Sequence, residues 1–146
     1  MKATSIAVCF ADKKDIDRII EIERSWLHLS HWSIEAYHRL LDDETFTTSL
    51  VAKIENLGEE NANLKNIIGF AVFHATNVSA EIYNIAVERS HARLGVGTAL
   101  MKGVVELSRS DGARKLMLEV RKSNTNAISF YKRFQFHIIG ERLNYY

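Results

Sequence analysis

Two stretches of helical periodicity are followed by three strand-like stretches in a row, and only then does the chain alternate strand with helix. Few one-domain folds tolerate that order. Ile6, Val8 and Phe10 alternate with small residues, which predicts a first strand. Asp12 then has the character of a helix cap, with Asp15 in the first turn. Ile16, Ile19, Ile20 and Glu23 share one helical face, and the helix is expected to run to about Trp26. Ser33 is a second cap, with Ile34, Tyr37, His38 and Leu41 following at helical spacing. Thr45 to Ile54, Ile67 to Ala75 and Ser79 to Val87 read as strands, the last two joined by a turn near Thr76 and Asn77. Glu55 to Asn66 and Glu88 to Leu94 read as loops. Gly95 to Asp111 is a predicted helix, stopped by a left-handed Gly112. Lys115 to Arg121 is a strand, Ser123 to Phe134 a helix and Phe136 to Tyr145 a last strand.

The order βααβββαβαβ makes residues 1–146 one expected domain of α/β (α+β) class. Antiparallel strands followed by β-α-β crossovers give a mixed, twisted central sheet of about six strands, with four helices on its two faces. Composition allows this: 47% of the residues are hydrophobic and 25% charged, ordinary globular usage. The formal net charge of +1 supplies no strong field for nucleic acid or an anionic membrane, and neither partner is expected. No apolar run reaches the ~18 residues of a membrane span. The apolar stretch from Ser5 to Phe10 is too short for a secretory signal and has no cleavage pattern after it. One cysteine, Cys9, excludes an internal disulfide, fits a cytoplasmic protein, and is expected in the core. No metal site is expected: His28 and His31 are three apart, with no cysteine beside them.

The chemistry concentrates in two places. Arg93-Leu94-Gly95-Val96-Gly97-Thr98 sits between a strand and a helix. Its glycines let backbone N–H groups approach a ligand at the positive end of a helix, where phosphate is favoured. Neither a P-loop nor a dinucleotide fingerprint fits, because no Gly-Lys-Ser/Thr follows and Leu100 stands where a third glycine belongs. A plain glycine-containing helix entry is the alternative. The second place is Glu119, in the otherwise apolar run Leu116 to Val120. Alternation puts it on the face of Met117, where a carboxylate needs either a partner or a task. An exposed charge beside Arg121 is the competing reading. Tyr131 lies twelve residues on, in the helix that packs back beside that strand, so both groups could reach one cleft; simple helix packing would also account for it.

In order and spacing, Asn84-Ile85-Ala86-Val87, the Arg93 to Gly97 loop, Leu118-Glu119-Val120-Arg121, Ser123-Asn124 and Tyr131 resemble the GNAT acetyltransferases. The likeness covers nearly the whole chain and is densest from Ser79 onward. Within the superfamily, these motifs with the terminal Asn144-Tyr145-Tyr146 look most like the RimI-type enzymes, which acetylate the N-terminal alanine of a small-subunit ribosomal protein. The resemblance implies acetyl-CoA as cosubstrate and a GNAT fold. It implies that amides from Arg93, Leu94, Gly95, Val96, Gly97 and Thr98 cradle the pyrophosphate. The strand through Ile85, Ala86 and Val87 would part from the Glu119 strand to admit the pantetheine arm, with an N–H near Ile85 on the thioester carbonyl. Glu119 would be the general base through a water, Tyr131 the acid for the leaving thiolate, and Asn124 a cofactor contact. Ala92, His31, Arg89 and Gln135 depart from common family residues. Gln135 stands where a glycine would follow the last helix, and a left-handed backbone there would cost about 1 kcal/mol. Relatives continue past Tyr146 with another strand; an open sheet edge invites a second copy, so a monomer and an edge-paired dimer are both expected forms.

The acceptor amine must be neutral to attack. An α-amine at about 7.8 and a lysine at about 10.4 differ by about 3.5 kcal/mol in that cost. A single carboxylate base therefore serves an α-amine, and with it a protein N-terminus as partner, more easily than a lysine. A small amine such as a polyamine or an antibiotic, or a lysine, is the alternative acceptor, and a small-amine enzyme would share the cofactor half and differ only in the acceptor cleft. Trp32, Tyr83, Asn84 and Tyr145 are candidate acceptor contacts, with core or edge packing as the alternative for the aromatic ones. A module that holds acyl-CoA without catalysis is the remaining reading.

Overall fold

The computed structural model describes residues 5–26, 32–42, 47–55, 66–92 and 94–141. Its elements are β1 (Ser5–Phe10), α1 (Ile16–Arg24), α2 (Ile34–Asp42), β2 (Thr47–Glu55), β3 (Ile67–Ala75), β4 (Ser79–Val87), α3 (Val96–Ser110), β5 (Lys115–Leu118) and α4 (Thr125–Arg133). Short 3-10 turns at Lys13–Asp15 and Arg89–His91 precede α1 and α3.

Local chemistry explains most of these limits. Before α1, the Asp15 carboxylate accepts the Asp12 N–H at 2.8 Å. Ser33 caps α2, its hydroxyl accepting the Ala36 N–H at 3.1 Å. Helices α3 and α4 both end in a Schellman motif. After α3, Gly112 (φ 96°) donates to Arg109 O, and Ala113 donates to Ser108 O. After α4, Gln135 (φ 68°) donates to Lys132 O, and Phe136 donates to Tyr131 O. Gln135 thus occupies a left-handed position that glycine adopts without strain. Gln135→Gly is expected to stabilise the protein by about 1 kcal/mol, read as a higher urea midpoint at constant m.

The sheet runs β1-β2-β3-β4-β5, antiparallel throughout except for the parallel β4–β5 pair. Its two faces carry separate cores. Helices α1 and α2 cover Val51, Phe70 and Val72 with Ile16, Ile19, Ile22 and Tyr37. Helix α3 covers Leu50, Ala71 and Phe73 with Val96, Leu100 and Val104, and Phe130, Phe134 and Phe136 of the α4 region extend that layer. The alternating strand faces fix this two-layer burial, which supplies most of the stability at roughly 25 cal/mol per Å².

Three expectations are corrected. Five strands are present among the described residues: 136–141 form no strand, and 142–146 lie outside them. Strand β5 stops at Leu118 rather than Arg121, because its pairing with β4 ends at Ile82 opposite Leu118. Cys9 is exposed, not in the core. It sits on the edge strand β1, on the opposite side from Val8, which packs against the α3 layer.

Candidate active site

Strand β4 contains one residue more than its partner. Val72 pairs with Asn84 and Phe73 with Ile82, so Tyr83 is left over as a bulge. A bulge bends its strand and sharpens the local twist. The pairing between β4 and β5 stops at this point, at Ile82 and Leu118. From Tyr83 to Val87, β4 therefore continues with its β5-side edge unpaired by that strand.

The direction of that edge follows from two hydrogen bonds. Glu88 N–H donates to Ile68 O on β3 at 2.7 Å. The Val87 carbonyl, trans across the same peptide, points the other way, and there it accepts the Trp26 indole N–H at 2.9 Å. Backbone groups alternate between edges along a strand, so Ile85 also turns its N–H and C=O toward the opening. The side chains of Ile85 and Val87 pack on the α3 layer, whereas Asn84 and Ala86 face α1 and α2.

Beside Val87 begins α3. Gly95 holds φ 85° and accepts the Ala99 N–H. The first amides of a helix have no intrahelical acceptor and carry its positive dipole end. A Cβ on Gly97 would come within 3.2 Å of the Phe130 ring, so glycine lets α4 lie directly against the first turn of α3. Leu94 is exposed and Val96 is buried in the α3 layer. Arg93 lies outside the described residues. The loop before α3 is anchored to α1: Arg89 stacks 4.0 Å over Trp26 and forks onto Ser25 O. Arg18 reaches Glu88 at 3.1 Å. Burial pushes the Glu88 carboxyl up, but Arg18 and then His91 outweigh it and hold it below the usual carboxylate range.

Glu119 follows the last paired residue of β5 and is exposed, beside an exposed Met117. The expectation of a carboxylate within a strand is thereby corrected. Tyr131 packs with Phe130 and Phe136, at ring distances of 5.5 and 5.7 Å. Burial pushes its phenol up to about 12. Asn124 caps α4, its carboxamide oxygen accepting the Ala127 N–H at 3.3 Å.

A neutral buried phenol contributes stability that is complete below its unfolded value of about 10 and is lost as pH rises toward about 12. Tyr131→Phe should therefore lose less stability than the parent between about pH 10 and about pH 12, measured by urea unfolding.

Of the candidate acceptor contacts, Tyr83 is 38% exposed at the bulge. Trp32 stands edge-on to it at 6.3 Å. Asn84 is buried beneath the sheet, its amide donating to Glu23 at 2.9 Å, so its side chain does not line the opening. Tyr145, His28 and His31 lie outside the described residues, as do Tyr146 and Asn144. Sequence reasoning missed the weight of Glu23 and Trp26. Glu23 carried a signal, as a carboxylate on the apolar face of α1; Trp26 carried none, because its acceptor lies 61 residues away. Among the described residues no helix is long and apolar enough to cross a membrane, and no three His, Cys, Asp or Glu gather to hold a metal.

The Acetyltransferase (GNAT) family profile matches residues 14–136. A Bacillus subtilis (strain 168) relative, named as a candidate ribosomal protein bS18-alanine N-acetyltransferase, is 33% identical over 98% of this chain and 88% of its own length. The ribosomal protein bS18-alanine N-acetyltransferase of Escherichia coli (strain K12) is 32% identical over 76% of this chain and 78% of its length. The crystal structure of the ribosomal-protein-S18-alanine N-acetyltransferase from Escherichia coli superposes with a TM-score of 0.78 at 25% identity, covering 97% of this chain and 84% of that one. The Arabidopsis thaliana NAA60 structure in complex with acetyl-CoA shares the fold at a TM-score of 0.83 and 18% identity, covering 97% and 90%.

Proposed function

The chain belongs to the GNAT acetyltransferase family and is an acetyl-CoA-dependent N-acetyltransferase, and from that premise we propose that its acceptor is the α-amine of a protein N-terminus, with the N-terminal alanine of a ribosomal protein as the first choice. The observation that supports this reading is the parting of β4 from β5 at the Tyr83 bulge, with the Ile85 backbone turned to the unpaired edge and the first turn of α3 packed beside Val87. An extended pantetheine arm fits such an edge as an added strand, and a pyrophosphate fits the helix start. The relatives named for alanine acetylation support the choice of acceptor.

In this reading the backbone from Arg93 and Leu94 through Gly95, Val96, Gly97 and Thr98 holds the pyrophosphate. The strand through Ile85, Ala86 and Val87 lines the arm, and Asn124 borders it. Acetyl-CoA supplies the acetyl group as a thioester. The Ile85 N–H steadies the negative charge that develops on the carbonyl oxygen during attack. Glu119, open to solvent, draws a proton from the attacking amine through water, which suits an α-amine better than a lysine. Tyr131 returns a proton to the thiolate. With its phenol near 12 and an ordinary thiol near 8.5, that transfer is uphill by roughly three-thousandfold, so water shares the role. Trp32 and Tyr83 form the acceptor wall, with Asn84 beneath it and Tyr145 as a further contact. Residues 1–146 act as one domain in the cytoplasm, where ribosomal proteins are made.

The test is an acceptor panel at saturating acetyl-CoA. Peptides beginning with alanine should be acetylated with a higher kcat/KM than the same peptides blocked at the N-terminus but carrying a lysine, and higher than spermidine. Turnover of polyamines with none of any peptide would overturn the choice of acceptor.

A further inference from the structure

Beneath the bulge lies a charged group that the proposed chemistry does not use. Glu23, on α1, is fully buried. Its Oε1 accepts the backbone N–H of Trp32 at 2.9 Å. Its Oε2 accepts the Tyr37 hydroxyl of α2 and, at 2.9 Å, the Asn84 amide of β4. These three partners are all donors, which matches an ionised carboxylate, and one side chain thereby joins α1, the entry to α2, α2 itself and β4. Burial, and after it the bond to Glu23, pushes the Tyr37 phenol well above its ordinary range.

What these bonds fix is the surface above them. Trp32 packs on Tyr37 at 5.5 Å and edge-on against Tyr83 at 6.3 Å. Asn84 directly follows the bulged Tyr83, whose hydroxyl lies 3.1 Å from His74 Nδ1. The α3 layer, with Ile85, Val87 and Val96, is on the other face of the sheet.

We propose that Glu23 is a positioning residue for the acceptor: its carboxylate pins Trp32 and the Tyr83 bulge from below, so that the wall receiving the amine is held in one shape. This rests on the reading that the acceptor lies along Trp32 and Tyr83. A group acting on that wall alone affects acceptor binding and leaves the acetyl-CoA side untouched.

Glu23→Met keeps the length of the side chain and removes both acceptor oxygens. Its expected effect is a rise of about tenfold in peptide KM, with kcat and the acetyl-CoA KM within about threefold. Glu23→Gln, which keeps one acceptor oxygen, should recover most of the loss. Amide hydrogen exchange at Trp32, followed by NMR without any acceptor, should be faster by about tenfold in Glu23→Met while the α3 amides are unchanged. If Glu23→Met does not fold, Tyr37→Phe, which drops a single donor, should raise peptide KM in the same selective way. Acetyl-CoA KM rising in step with peptide KM, or an unchanged Trp32 exchange rate in Glu23→Met, would overturn the proposal. Should the wild type acetylate no peptide, the acceptor reading fails, and the Trp32 exchange rate by itself still decides whether Glu23 is the pin.

Discussion

Glu119→Gln is expected to lower kcat/KM for an alanine peptide by about 10²- to 10⁴-fold while the affinity for acetyl-CoA changes little. The substitution keeps size and shape but removes the only function the proposed mechanism asks of the residue, which is to take a proton. Because Glu119 is exposed and outside the sheet, and Gln keeps its size, stability should stay within about 0.5 kcal/mol. The loss should shrink as pH rises above about 8, where more of the α-amine is already neutral. Tyr131→Phe should cost less, because a phenol held at about 12 is a weak acid for which water can substitute. A Glu119→Gln enzyme within about threefold of the parent would remove Glu119 from the chemistry.

The largest effect on stability is expected from Glu23→Ala. Removing the carboxylate leaves the Trp32 N–H, the Tyr37 hydroxyl and the Asn84 amide without the acceptor they share, in a site closed to bulk water. Each stranded buried donor costs about 1–3 kcal/mol, and the three are not additive because they share one partner. A loss of about 3 kcal/mol is the expected total, with a cavity contribution included. Urea unfolding would read it as a lower midpoint at unchanged m. The Gln variant should lose less, since its amide can accept one donor and donate back to a hydroxyl. A midpoint for Glu23→Ala equal to that of the parent would mean that the cluster does not hold the two helices and β4 together.

Much of the fold was legible because its signals are short-range. The limits of β3 and β4, the Ser33 cap and the left-handed Gly112 each depend on a few neighbouring residues, and the structure places them where the sequence does. The glycine-bearing entry to α3 belongs to the same class. Other features were invisible for a common reason. Cys9 looked like a core residue because a strand pattern cannot tell an edge from a centre; only the β1-β2-β3-β4-β5 order does that. Glu119 looked like a strand residue because Leu116 to Val120 alternates correctly, but a strand ends where its partner leaves, and β4 leaves at Tyr83.

The sequence by itself determined the class of fold and the family, since periodicity, turn residues and motif spacing act over one or two turns of chain. Tertiary structure alone decided where the sheet opens, which way the Ile85 and Val87 amides face, and that a carboxylate on α1 meets an amide 61 residues later. Those facts depend on pairing and burial between distant segments, and a contact of that kind has no local signature for the chain to display.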